Sequence, residues 1–404
     1  MPTYIYKARD ATGKLVKGSM DATNRDELTE KLNRMGYMTT RVTEAISGIK
    51  IESAFEKFKR ISTEDMIIFN VQLANMINSG IPILVCLDTL DKQIENKRLR
   101  ETVGEIKRNL EAGDSFSQAL ARHPRVFSKL FMNMVKVGEA SGKLDTVLTR
   151  FAEYTERQAD LNQKIKGALF YPIILLFAGI AVTLFIVTTI IPQFAEIFMK
   201  AGIRLPMPTM ILYKVGTWLK HYWYVVGLVI IMACVAVRFY VRTRKGRLVF
   251  DRLTLKIPII GSLLRKVCIA RFSRTLATLV SSGVSILQSL DITREVIGNE
   301  VLGRVIGNVR GSVEKGEKIA EVLKVSEEFP ADTVQMISVG EETGNLDGML
   351  NKIADFYNMS IGYSIKKLTT VLEPLFLVIM GGMVGFIMAS MLLPIFDMMK
   401  VLRH

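Results

Sequence analysis

The longest charge-free stretch of the chain, residues 167–195, contains no Asp, Glu, Lys or Arg. A helix needs about 20 mostly apolar residues to cross a bilayer, so this stretch predicts a membrane span at 167–192. Two further apolar runs predict spans at 222–241 and 370–396. Because 23% of the whole sequence is charged, the chain also contains soluble parts. We therefore expect soluble domains joined to three spanning helices.

The distribution of basic residues predicts the orientation of these spans. Residues 242–274 contain ten Lys and Arg but one acid, whereas four basic residues separate the first two spans. Segments rich in Lys and Arg remain in the cytoplasm. We therefore expect 1–166 and 242–369 to be cytoplasmic, 193–221 to form a periplasmic loop and 397–404 a periplasmic tail.

An internal repeat organises the chain. LANMINSGIPILVCLDTL (73–90) aligns without gaps on LATLVSSGVSILQSLDIT (276–293), with eight of eighteen positions identical. VGEASGKLD (137–145) likewise matches VGEETGNLD (339–347) at six of nine positions. A span follows each copy. The repeating unit is therefore one soluble domain plus one spanning helix, and the second span returns the chain to the cytoplasm.

The pattern inside each copy is helical. Ser62 is followed by acids and then by apolar residues at helical spacing, which predicts a helix start. Gly80 and Gly283 predict the end of that helix in each copy. No helix breaker occurs between Lys143 and Gly167, so the last helix of the first copy should run on into the first span. We expect two helical bundles, at 62–166 and 242–369.

The first 46 residues follow a different pattern. Alternating segments around an Ala-Thr-Gly turn, an amphipathic stretch ending at Gly36, and YMTTRVTE predict a small ββαβ segment over 1–46. Residues 47–61 are polar and basic, which indicates a linker or an amphipathic helix. The fold class is thus an all-α membrane protein with a small N-terminal appendage.

The common signatures of enzymes and cofactor sites are missing from the sequence. Its three cysteines and three histidines form no CxxC, HExxH or zinc-type cluster, and neither a Walker A motif nor a GxGxxG after a strand is present. We therefore expect no enzymatic activity, no cofactor and no metal. A small oligomeric transporter or channel, and a membrane-tethered enzyme, are the alternative classes.

The repeated VGExxGxLD segment is the main candidate site. Its glycines permit a tight turn between helices, and Ser141 or Thr343 could cap the next helix, with an Asp in its first turn. Alternatively, the glutamates bind a metal or a basic residue of a partner. The segments offer fewer carboxylates than a calcium site usually needs. The candidate residues are Gly138, Glu139, Gly142, Asp145, Gly340, Glu341, Gly344 and Asp347.

This arrangement resembles the type II secretion F family, and within it the inner-membrane platform of type IV pilus assembly. The resemblance rests on the duplicated VGExxGxLD segment and on the opening YIYKARDATGKLVKGSMDA, although Thr343 replaces Ser141 in the second copy. It implies a non-enzymatic protein of the bacterial inner membrane. Its implied role is to couple the hexameric assembly ATPase to the insertion of pilins or pseudopilins, among other inner-membrane assembly proteins.

Residues near the membrane are further candidates. Glu373, at the cytoplasmic edge of the third span, is either a helix-start residue or a partner for the amino end of a pilin. Gly381 and Gly385 recur at four-residue spacing, which favours a homo-oligomer seam. The basic run 242–274 indicates contact with membrane lipids. Since aromatic residues are not interleaved with these charges, we expect no nucleic-acid binding.

Overall fold

The computed structural model describes residues 3–9, 15–44, 60–200 and 205–401. The predicted linker at 47–61 lies outside these ranges except for its last two residues, as do the last three residues of the predicted tail. Most of the described chain is helical. This confirms the predicted fold class.

The N-terminal segment forms the predicted ββαβ unit. Its elements are β1 (Thr3–Arg9), β2 (Leu15–Asp21), α1 (Arg25–Arg34) and β3 (Met38–Glu44). The antiparallel sheet has the order β2–β1–β3. Leu28 and Leu32, four residues apart on α1, are fully buried in a small core with Tyr4 of β1.

The first repeat is a helical bundle. Its helices are α2 (Thr63–Asn78), α3 (Ile83–Gln93), α4 (Lys97–Glu111), α5 (Phe116–Ala121), α6 (Lys129–Ser141) and the start of α7 (Leu144–Phe185). Ser62 and Asp65 form a reciprocal capping box, which confirms the predicted helix start. Aromatic rings fill the core, with Phe131 lying 4.5 Å from Phe151 between centroids.

Helix α7 continues from the first repeat into the first span. Its 42 residues, about 63 Å at 1.5 Å per residue, form one helix, as the lack of a breaker predicted. A π-helical turn (Ile186–Ile190) and helix α8 (Ile191–Lys200) follow directly. The π turn precedes Pro192, which has no N–H to donate to the preceding turn.

The connection between the first two spans is largely helical, not the loop expected over 193–221. Helix α8 extends to Lys200, and α9 (Met207–Arg242) begins well before the second span. Ile191, Ala195 and Phe198 give α8 a buried face at helical spacing. Charged residues interrupt the apolar run here, so a search for uncharged stretches could not detect these helices. Helix α9 is non-helical at Tyr222 (φ −110°, ψ 21°), where the second span was predicted to start.

The second repeat reproduces the helix order of the first. Helix α10 (Arg244–Lys256) leads into it. The repeat itself contains α11 (Ile260–Ser281), α12 (Ile286–Val296), α13 (Glu300–Val313), α14 (Ile319–Val325), α15 (Ala331–Thr343) and α16 (Leu346–Val401). These six helices correspond in order to α2–α7. Helix α16 has 56 residues, about 84 Å, and includes the third span.

Among the described residues, three helical segments are long and apolar enough to cross a membrane, as predicted. They cover Leu144–Lys200, Met207–Arg242 and Leu346–Leu393. The first and third pack together, since a Cβ added at Gly179 would lie 2.7 Å from the Met380 sulfur. Helix α9 also approaches the first span closely: a Cβ at Gly216 would lie 2.0 Å from the Val187 carbonyl oxygen. Small residues permit such backbone contacts between membrane helices.

Candidate functional site

Each VGExxGxLD segment forms a tight turn between two helices, as predicted. Gly142 ends α6 with φ 69°, and Gly344 ends α15 with φ 68°. This left-handed conformation strains residues that have a Cβ, so glycine is favoured at both positions. Asp145 and Asp347 lie in the first turns of α7 and α16, where a negative charge is favourable.

The prediction that Ser141 or Thr343 caps the following helix is wrong. Both residues belong to the preceding helix, where Ser141 Oγ donates to the Val137 carbonyl at 2.8 Å. Thr343 Oγ1 donates to the Val339 carbonyl at 2.7 Å. Because the left-handed glycine reverses the chain after them, these hydroxyls bond to their own helix.

The glutamate of each segment caps a different helix of its own repeat. Glu139 accepts hydrogen bonds from the backbone N–H groups of Phe116 (2.5 Å, Oε1) and Ser117 (3.0 Å, Oε2), at the start of α5. Glu341 accepts the equivalent bonds at the start of α14, from Ile319 (2.7 Å) and Ala320 (3.0 Å). Each carboxylate thus satisfies two unpaired donors and lies at the positive end of a helix.

This capping gives the repeated glutamates an internal role. The earlier alternative was a metal or a partner's basic residue, but both oxygens of each carboxylate already accept bonds within the repeat. Within the described ranges, no group of three potential metal ligands is found. The sequence contained a usable signal: EAGDSFSQAL (111–120) and EKGEKIAEVL (314–323) recur along with the glutamates.

A polar cleft between the two repeats was not predicted. Arg274 of α11 is 8% exposed, donates to Asn351 Oδ1 at 2.6 Å and also bonds to Asp355, both on α16. Arg157 of α7 approaches the same Asp355 carboxylate at 3.3 Å. This carboxylate therefore bridges an arginine of the first repeat and a buried arginine of the second.

The cleft has a volume of about 330 Å³ and is lined by charged and hydroxyl groups. The Tyr154 hydroxyl of α7 lies 3.2 Å from Thr275 Oγ1 of α11, in a buried contact between the repeats. Asp347 of the second VGExxGxLD segment also lines the cleft. These contacts fix the two long helices relative to each other at the level of the repeats.

Comparison with known proteins identifies the chain. Residues 69–192 and 272–394 each match the family described as Type II secretion system (T2SS), protein F, and residues 1–43 match that protein's N-terminal domain. The chain belongs to the type II secretion system protein F family. The two matched segments are the two halves of the internal repeat.

Named relatives of this family member cover its full length. It is 37% identical to type IV pilus assembly protein PilC of Thermus thermophilus over 404 residues, 100% of this chain and 99% of the relative. PilC of Myxococcus xanthus is 36% identical over 395 residues, covering 98% and 94%. Type II secretion system protein F of Vibrio cholerae is 30% identical over 406 residues, covering all of both chains.

In this member of the protein F family, the three candidate residues of the third span, Glu373, Gly381 and Gly385, lie on the protein surface. Glu373 is exposed. Gly381 and Gly385 are exposed as well, and a Cβ at either would meet no atom within 4 Å. The buried side of the same helix contains Ile387, about 200° around from Gly385. Within the described ranges, no other part of the chain therefore packs against either glycine.

Proposed function

We propose that this chain is the inner-membrane platform of a type IV pilus or type II secretion machine, and that it transmits motion without catalysis of its own. The observation that supports this most is the continuity of α7 and α16 from the repeats into the membrane. Because each helix runs from its repeat into the membrane, movement of a repeat would move its span. The cleft contacts couple the two helices to each other.

The proposed partners are the hexameric cytoplasmic ATPase and the pilins or pseudopilins. The names of the relatives refer to type IV pilus assembly and type II secretion, which supports a place in such a machine. The basic residues at 242–274 support a cytoplasmic position for both repeats and the N-terminus. An ATPase would then act on the repeats, and pilins would meet the spans.

A channel or carrier is less well supported by the spans. Such proteins need polar groups directed into a path through the membrane. Two hydroxyls of the first span have partners within the protein: Thr183 donates to the Met383 sulfur at 3.0 Å, and Thr188 donates to the Leu184 carbonyl at 2.7 Å. The first of these bonds joins two helices and the second lies within one helix, so neither hydroxyl is directed into a path.

Photo-crosslinking in cells tests the proposed contact with the ATPase. Glu101 on α4 and Arg304 on α13 occupy equivalent exposed positions in the two repeats, 203 residues apart. A photoreactive phenylalanine at each position should crosslink the ATPase from at least one repeat. The matched pair shows which repeat faces the motor. If neither position crosslinks and the full-length protein does not co-purify with the ATPase, the coupling role fails.

The exposed glycines are a proposed seam between copies. Replacing Gly385 with leucine should prevent two helices from approaching closely at this position. The fraction of oligomer, measured by mass photometry in detergent, should therefore fall. Gly227 on the second span is a control, since a Cβ there also meets no atom within 4 Å. A Gly385→Leu protein that keeps its oligomeric state would refute the seam.

Glu373 is the proposed contact for the amino end of a pilin. A carboxylate exposed at the edge of a span is favourable where a positive partner neutralises it. Glu373→Gln removes the charge at nearly constant size, and it should reduce pilus assembly or secretion in cells without lowering the amount of platform protein. Normal assembly in that variant would contradict the role.

A further inference from the structure

Helix α10 begins immediately beyond the end of the second span. Thr243 alone separates it from α9 and is extended (φ −76°, ψ 145°). Its Oγ1 donates to the Tyr240 carbonyl at 2.7 Å and accepts from the Gly246 N–H at 3.1 Å. A Cβ at Gly246 would lie 2.0 Å from the Tyr240 oxygen. The first turn of α10 is therefore held against the last turn of the span.

One face of α10 is fixed to the second repeat. Asp251 Oδ2 accepts a 2.7 Å hydrogen bond from the Glu300 N–H at the start of α13. Leu255, four residues later on the same face, packs against the core of the repeat. These contacts set the rotation of α10 about its own axis, so its opposite face cannot turn inwards.

That opposite face is apolar and exposed. Val249, Phe250 and Leu253 are 43%, 46% and 59% exposed, and Ile257 beyond the helix end is 43% exposed. At 100° per residue, the three helical residues lie within a sector of about 100° centred opposite the Asp251 face. Helix α10 thus has two apolar faces, of which the protein covers one.

Basic side chains border the exposed apolar face on both sides. Lys245, Arg252 and Lys256 lie along one edge and Arg247 along the other, and all four are exposed. The acid of this helix, Asp251, lies on the covered face. An apolar strip with long cationic side chains at both edges is the pattern of helices that lie in a membrane surface.

We propose that α10 is an interfacial anchor, in which Val249, Phe250 and Leu253 insert into an anionic phospholipid surface at the end of the second span. Two observations favour lipid over a second copy of the chain or another protein. The helix is one residue from a membrane-spanning segment, so it lies at the depth of the headgroups. Its basic edges match phosphate groups, which a bilayer presents on both sides of an inserted helix. The anchor would fix the second repeat relative to the membrane.

The test measures the depth of α10 in a bilayer with the full-length protein. In a Cys234→Ser background, an environment-sensitive fluorophore is attached at Leu253→Cys and, separately, at Val249→Cys. Cys86 and Cys268 are buried and are left unchanged. Val325→Cys, on an 84% exposed valine of α14, is the matched control. Each protein is placed as a single copy in nanodiscs of phosphatidylcholine, with or without phosphatidylglycerol.

We expect nitroxides on the upper acyl chain to quench the labels at 249 and 253 but not at 325, because interfacial helices insert about 5–10 Å. Aqueous iodide should show the reverse order, and phosphatidylglycerol should increase the lipid quenching. Arg252→Glu with Lys256→Glu should remove that increase. Equal iodide access at 253 and 325 would overturn the proposal. Protection from iodide without lipid quenching would also overturn it, because it indicates that protein covers the face. Lipid quenching that does not change with phosphatidylglycerol would do the same.

Discussion

Replacing Glu341 with alanine should loosen the start of α14. The half-buried carboxylate accepts bonds from the Ile319 and Ala320 N–H groups at 2.7 and 3.0 Å. Alanine leaves both donors without this acceptor and removes a negative charge from the positive end of the helix. The loss should be local, because the capped helix has seven residues and its other end is held by separate contacts.

The magnitude follows from comparable changes. Removing a side-chain cap costs about 0.5–2 kcal/mol, and a buried hydrogen bond to a charged group contributes a net of about 1.5–3 kcal/mol after exchange with water. For two bonds to a half-buried carboxylate we expect about 2–3 kcal/mol. Since 1.4 kcal/mol is a factor of ten, amides in this turn should exchange about 30- to 140-fold faster.

Hydrogen exchange with mass spectrometry measures this change peptide by peptide. Glu341→Ala should accelerate exchange within 319–325 and leave the equivalent segment of the first repeat, 116–121, unchanged. Glu139→Ala should accelerate exchange within 116–121 and leave 319–325 unchanged. The matched control is Glu342→Ala, since that neighbouring side chain is 59% exposed and makes a 3.6 Å ion pair with Lys318. Such exposed pairs contribute about 0–1 kcal/mol.

Two results would refute this reasoning. If exchange in 319–325 is the same in Glu341→Ala as in the unmodified protein, the carboxylate does not stabilise the helix start. If Glu342→Ala accelerates exchange equally, the effect comes from the charge of the turn in general and not from the two hydrogen bonds.

Three further predictions concern the membrane contact, a buried thiol and the cleft. Gly216→Ala should lower the unfolding temperature in detergent because its Cβ clashes with a backbone carbonyl, whereas Gly227→Ala, which meets open space, should not. Burial raises the pKa of the Cys268 thiol from 9.0 to about 11, so it should react with N-ethylmaleimide on the order of 100-fold more slowly than an ordinary thiol exposed to water. Asp355→Asn should widen the distance distribution between spin labels on the two repeats, measured by double electron–electron resonance, because a buried arginine loses its charged partner.

Features that depend on local sequence could be predicted from the residues alone. Ser62 predicted the start of α2 because a capping box needs just four consecutive residues. Gly142 and Gly344 predicted two tight turns because φ near 70° is a local property of glycine. The assignment of Ser141 and Thr343 as caps of the following helix was wrong. A hydroxyl at such a turn can bond to the helix before it or to the helix after it, and the choice depends on the backbone direction, which the motif does not specify.

The three spans, the duplicated helical domain and the tight turns can be predicted from the residues, because charge-free runs, repeated segments and glycine positions are one-dimensional patterns. The packing of the helices was needed to show that Glu139 and Glu341 cap distant helix starts and that Asp355 bridges Arg157 and Arg274. These partners are from 21 to 198 residues apart. In sequence, each one resembles an ordinary solvated charge on an amphipathic helix. Whether such a charge faces water or another helix depends on how the bundles pack, since burial is a property of the surrounding helices and not of the residue itself.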